Sequence, residues 1–161
     1  MRLFFIACTL ITIVSCKSPK EDKKTTTKSN KPSSITYVDL KGTEVLLSNY
    51  KGKKLLVNYW ATWCAPCIKE MPDLLKLQEI LRKENYIFLL VSDQSIDEIT
   101  KFKKLKKYDF NFLKLEGSLD ALGIYALPTT FIYNENGVKI KKIVGSVKWD
   151  SKEMIKTLKD I

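Results

Sequence analysis

The pattern of apolar and polar positions divides the chain into an apolar head, a polar stretch and a long periodic remainder. Leu3 to Val14 is an unbroken run of apolar, small and hydroxyl side chains, and Lys17 to Ser34 contains no large apolar residue. Periodicity begins at residue 35. "ITYVDL", a Lys-Gly turn and "TEVLLSN" predict a hairpin over 35–49. "KKLLVNYWA" (53–61) is the continuous apolar run expected of a strand covered on both faces. A helix should then start near Pro66, a residue suited to a first turn. It should carry Met71, Leu74, Leu77, Ile80 and Leu81 on one apolar face, with Pro72 inside it expected to introduce a kink.

The remainder continues in the same style. "YIFLLVS" (86–92) predicts a second buried strand. Ser95-x-x-Glu98 is a capping-box signature, opening a helix that places Ile99, Phe102 and Leu105 on one side. A short segment "FNFLKLE" and a small helical piece "SLDALGIYA" follow. "TTFIYNENGVKIKKIVG" (129–145) reads as two strands about an Asn-Glu-Asn-Gly turn, and the last helix is capped by Asp150 or Ser151, with Glu153 in its first turn. Consecutive βαβ units demand a parallel central sheet, to which the late hairpin adds antiparallel strands. The expected architecture is α/β, a mixed sheet flanked by helices.

Composition sharpens the ends. Met1-Arg2 is a minimal positive leader for the apolar run, whose twelve residues at about 1.5 Å each fall short of a bilayer core of roughly 30 Å. Residues 1–15 therefore read as an export signal rather than a membrane span. Ile13-Val14-Ser15-Cys16 resembles the bacterial lipobox, which implies lipidation of Cys16. The alternative is an ordinary signal cut nearby, which leaves Cys16 a spare thiol. Residues 16–34 read as a lipidated cysteine and a flexible tether too polar to bury surface against its ordering entropy, and 35–161 as the folded domain.

Net charge is +10. Residues 1–34 hold seven Lys/Arg and two acids, leaving twenty-one and sixteen for the domain, so half the excess sits where anionic lipid could attract it. The lysines of "KFKKLKK" (101–107) read as a solvated helix face, and no nucleic-acid module accompanies them.

The chemistry centres on "YWATWCAPC" (59–67). Cys64 should sit where a strand ends and a helix begins, a place where free N–H groups and the helix dipole favour a thiolate. Such sites lower a thiol pKa from about 8.5 into roughly 3.5–7.5. A thiolate there can attack a disulfide, and Cys67, one turn on, can resolve the mixed disulfide. Three rival readings remain. A structural disulfide over so small a loop contributes little chain-entropy stabilisation. A zinc site would need ligands beyond two cysteines in a chain with no histidine. A Cu(I) carrier is chemically open to a pair of soft thiolates. Absence of histidine excludes Cys-His and Ser-His-Asp hydrolysis.

Trp60-Ala61-Thr62-Trp63-Cys64-Ala65-Pro66-Cys67, then Glu70-Met71-Pro72 and a downstream Leu127-Pro128-Thr129, resemble the signature of the thioredoxin-like, membrane-anchored TlpA/ResA-type thiol–disulfide oxidoreductases over roughly 35–161. The resemblance implies a thioredoxin-like fold, Cys64 as attacking nucleophile and Cys67 as resolving thiol, with no cofactor or metal. It makes Pro128 a cis-proline beside the dithiol. Leu127 would pair with an extended substrate, and Trp63, Ala65 and Pro66 would form the rest of the substrate-facing wall.

Glu70 matches a family carboxylate that helps move protons; read from the residues alone, it is a first-turn acid favouring the helix dipole. Asn58 departs from general thioredoxins, which carry an aspartate there, and an amide cannot accept that proton. The partners implied are a disulfide-containing protein, for which the resemblance offers apocytochrome c as one candidate, and a membrane electron donor that re-reduces the dithiol. The expected location is the extracytoplasmic face of a bacterial envelope membrane. An oxidase or isomerase running the pair the other way stays open, as does a non-catalytic thiol carrier.

Overall fold

A computed structural model describes residues 35–161; the expected signal, Cys16 and the tether to residue 34 lie outside the described residues. Seven strands form one sheet. In chain order they are β1 (Thr36–Asp39), β2 (Glu44–Val45), β3 (Lys54–Tyr59), β4 (Tyr86–Ser92), β5 (Asn111–Glu116), β6 (Thr129–Tyr133) and β7 (Lys139–Val144). The helices are α1 (Ala65–Leu81), α2 (Ile96–Lys106) and α3 (Lys152–Lys159). The strand order is β2-β1-β5-β4-β3-β6-β7. β3, β4 and β5 run parallel, while β1 pairs antiparallel with β5 and β6 antiparallel with β3.

The sheet order fixes where the helices go. β3–α1–β4 and β4–α2–β5 both step to the next strand in the same direction, and right-handed crossovers then put both helices on one face. Leu56 and Trp60 of the β3 side, Met71, Leu74, Leu77 and Leu81 of α1, Phe102 of α2 and Leu158 of α3 share one buried cluster. Fully burying each of the α1 leucines contributes about 1.5–3 kcal/mol. The odd positions of β3 (Leu55, Val57, Tyr59) face the second cluster, with Phe131 and Ile124. Among the described residues, only one-turn helices at Leu47–Tyr50 and Asp120–Leu122 lie on the covering segments there.

Several expectations are refined. Ile80 and Leu105, placed on apolar faces by periodicity, are 41% and 77% exposed. Each is three residues beyond a buried neighbour, and at about 100° per residue a second step of three rotates a side chain well off the buried stripe. The segment "FNFLKLE" is a full strand, β5, held between β1 and β4. The first hairpin's return strand is only two residues, because Leu47–Tyr50 turns into a one-turn helix. α1 runs unbroken through Pro72, leaving the Ile68 carbonyl without its usual donor. Ser151, not Asp150, caps α3, and the Ser95/Glu98 capping box is complete.

Candidate active site

The dithiol is built by the junction of β3 and α1. The Trp60 N–H donates to the Val91 carbonyl at 2.9 Å, which extends the sheet by one residue, and the Cys64 N–H donates to Ala61 at 3.1 Å, which turns the chain. Cys64 becomes the N-cap of α1, with extended backbone and Pro66 in the first turn. Cys64 and Cys67 form a disulfide with their Cα atoms 5.3 Å apart. The Cys67 N–H donates to the Cys64 sulfur at 3.3 Å, so the cap that opens the helix is the sulfur itself. Cys64 is 4% exposed and Cys67 wholly buried, while Ala65, Pro66 and Trp63 face outward. Trp60, in contrast, is core: it is wholly buried, 4.6 Å from Phe102 ring to ring.

A brace not visible in the sequence holds the approach to Cys64. Gln94 accepts from the Thr62 N–H at 2.7 Å and donates to the Thr62 hydroxyl at 2.9 Å and to Glu98 at 3.0 Å. Only the neighbouring capping box hinted that this turn was ordered.

Glu70 is not a first-turn acid. It stands a turn beyond Cys67 on the same helix side and is 3% exposed. One carboxylate oxygen accepts from Asn58 Nδ2 at 2.9 Å and the other from the Val147 N–H at 3.4 Å. Burial pushes its pKa above the ordinary carboxylate value, against the opposing pull of the Trp149 indole, the Asn58 amide, Ser146 and the Val147 N–H. Asn58 also donates to the Thr130 hydroxyl at 2.9 Å, so the amide that replaces an acid in this strand orients the acid of the helix. Outside this pocket Lys148 bridges Asp73 and Asp150 at 2.8 Å each, and Lys76 reaches Asp150 at 3.0 Å. These ion pairs pin the segment that carries Val147 against α1. Nothing in the sequence marked Val147 or Trp149 as neighbours of Glu70, because they lie more than seventy residues away.

The Leu127–Pro128 bond is cis. Leu127 packs against the cluster that contains both cysteines, and with Trp63 it lines a groove of about 290 Å³ beside the dithiol. The structure thus gathers Trp63, Cys64, Ala65, Pro66, Cys67, Glu70 and the Leu127–Pro128 turn at one end of the sheet. Among the described residues, no group of three or more Cys, Asp or Glu could hold a metal ion. No described helix is long and apolar enough to cross a membrane.

The family model for the AhpC/TSA family matches residues 27–142. A relative from Geobacillus thermodenitrificans (strain NG80-2), thiol–disulfide oxidoreductase ResA, is 35% identical over 126 residues, covering 75% of this chain and 72% of its own. The chain belongs to the AhpC/TSA family, on its ResA-like branch. It is a thiol–disulfide oxidoreductase with a thioredoxin-like fold. Among solved structures, a thiol:disulfide interchange protein from Bacteroides sp. superposes with a TM-score of 0.65 at 28% identity, covering 79% of this chain and 84% of that one. The pneumococcal exposed lipoprotein thioredoxin from Streptococcus pneumoniae strain TIGR4 gives 0.60 at 27% identity, covering 78% and 98%.

Proposed function

We propose that this oxidoreductase works outside the cytoplasm, held to a membrane through a lipidated Cys16, and reduces disulfides in partner proteins. Residues 1–15 serve as the export signal and 16–34 as the tether, a reading supported by the lipobox-like Ile13 to Cys16 and by the similarity to a lipoprotein thioredoxin. The observation that carries the chemistry is the Cys67 N–H aimed at the Cys64 sulfur, on the helix end where negative charge is favoured.

In the reduced protein the Cys64 thiolate attacks one sulfur of a partner disulfide, forming a mixed disulfide and expelling the partner's other sulfur as a thiolate. Cys67, its proton taken through Glu70, then attacks the Cys64 sulfur and releases the second partner thiol. Two electrons have moved to the partner, and Cys64–Cys67 is left oxidised. A dithiol donor in the membrane returns the two electrons. Leu127 and Pro128, with Trp63, Ala65 and Pro66, face the partner segment. Apocytochrome c cysteines are the substrate that the family resemblance supplies.

Cys67→Ser in the full chain tests this directly. It should accumulate mixed disulfides with partner proteins, seen as thiol-sensitive bands on non-reducing gels, and Cys64→Ser should not. A Cys67→Ser protein that traps nothing would refute the roles of the two thiols. Stoichiometric Cu(I) retained by the reduced chain, without exchange, would favour the carrier. Full c-type cytochrome maturation in a deletion strain would remove apocytochrome c as substrate.

A further inference from the structure

The groove beside the dithiol has a charge opposite to that of the rest of the molecule. The chain carries 28 Lys/Arg against 18 acids, yet the groove wall contains Asp93 and Asp120 and no basic residue. Several acids elsewhere on the surface are paired, though not all of them. Asp73 and Asp150 share Lys148, Asp97 pairs with Lys101, Glu79 with Arg82 and Glu84 with Lys159. Among the described residues, neither Asp93 nor Asp120 has a side-chain hydrogen bond or ion pair. Two large aromatics stand in the same wall and point into solvent, Trp63 at 72% exposure and Tyr125 at 83%. Largely solvated aromatic faces beside unpaired carboxylates suit one kind of guest, a cationic side chain, which gains from both.

The wall is also held in place. Asp93 lies between Ser92, which ends β4, and Gln94, whose side chain is bound to Thr62 beside Trp63. Asp120 opens a one-turn helix fixed by the Ala121 N–H donating to the Ser118 hydroxyl at 3.2 Å. The surface formed by Ile68 and α2 carries Lys101 and Lys106 together with Glu98. A polypeptide lying across Cys64 therefore meets acid alone on the Trp63–Leu127 side and charges of both signs on the α2 side.

We infer that Asp93 and Asp120, with Trp63 and Tyr125, select disulfide partners whose attacked cysteine is flanked by lysine or arginine. The inference rests on the reductase reading above, and its test keeps the two apart. The reduced full chain is mixed with disulfide-linked dimers of a short capped peptide in which lysine, serine or glutamate flanks the cysteine. Each rate is divided by that of dithiothreitol on the same peptide, which removes the effect of the flanking charge on the thiol itself.

Reduction of the serine peptide tests the reductase reading alone, and failure there would overturn that reading. With that reaction present, the lysine peptide should exceed the glutamate peptide by about tenfold at low salt, from two to fivefold for each carboxylate, and the gap should shrink in high salt. Asp93→Asn and Asp120→Asn should each lower the lysine-to-glutamate ratio, and Asp120→Lys should move it toward the glutamate peptide. Equal normalised rates for the three peptides, or a ratio indifferent to all three substitutions, would overturn the groove's selectivity.

Discussion

Replacing Glu70 with Gln separates what the buried carboxyl does for stability from what it does for chemistry. Its oxygens accept from Asn58 Nδ2 at 2.9 Å and from the Val147 N–H at 3.4 Å. Glutamine keeps one acceptor and turns the other position into a donor, so one of those two groups loses its partner. Leaving a buried donor without its acceptor costs about 1–3 kcal/mol. Against it, an amide never has to be buried as a charge.

Burial raises the folded-state pKa of Glu70, so the native protein holds the proton more tightly than the unfolded chain. The stability this confers is complete below the unfolded carboxylate pKa and is lost as pH rises through the folded one. The variant, which has no such loss, should improve relative to wild type as pH rises. Chemistry should move the other way. A positioned proton acceptor contributes about 10²–10⁴-fold, so release of the mixed disulfide by Cys67 should slow by about 10² near neutral pH.

The attack by Cys64 should change little. Stopped-flow tryptophan fluorescence, with Trp63 next to Cys64 as reporter, resolves the two steps, and urea melts at about pH 4.5 and about pH 8 supply the stability comparison. A resolution rate within about threefold of wild type across the pH range, far under the expected loss, would leave Glu70 a purely structural group.

Two further substitutions test the surroundings. Asn58→Asp places a second carboxyl beside Glu70, and like charges there keep one of them protonated. Its loss of stability, on the order of 2 kcal/mol, should be smallest below the unfolded carboxylate pKa and grow as pH rises; equal losses at both pH values would count against a coupled pair. Trp60→Ala removes a wholly buried ring packed 4.6 Å from Phe102 and 5.5 Å from Phe112, and should cost about 3–5 kcal/mol by urea denaturation. Trp60→Phe should cost much less, because the Trp60 indole N–H has no hydrogen-bond partner among the described residues to lose. A small loss for alanine would mean that the cluster collapses to fill the gap.

The order of elements and the dithiol were legible along the chain because they depend on near neighbours. Mostly apolar runs at 55–60 and 86–91, rich in branched and aromatic residues, have the length and content of buried strands, Pro66 and the Ser95/Glu98 box mark helix starts, and Cys64-x-x-Cys67 spans a single helical turn. Strand β5 was harder, since "FNFLKLE" is short and its pairing with β1 and β4 is decided by the crossover of α2. The outer rows of α1 and α2 were overextended for a related reason. Periodicity shows that a face is apolar but not how far the neighbouring layer reaches, and Ile80 and Leu105 lie past its edge.

What only the tertiary structure decided is the setting of the thiols. Asn58, Glu70 and Val147 meet across separations of twelve and seventy-seven residues, which turns an acid that could have served the helix dipole into a buried one with a raised pKa. Trp63, Asp93, Asp120 and Tyr125 likewise share a wall because three loops end at the same edge of the sheet. The sequence alone determined that a cysteine pair opens a helix, since hydrogen-bond geometry within one turn is local. It could not determine which distant groups surround that pair, because burial and charge pairing depend on how the strands order themselves in space.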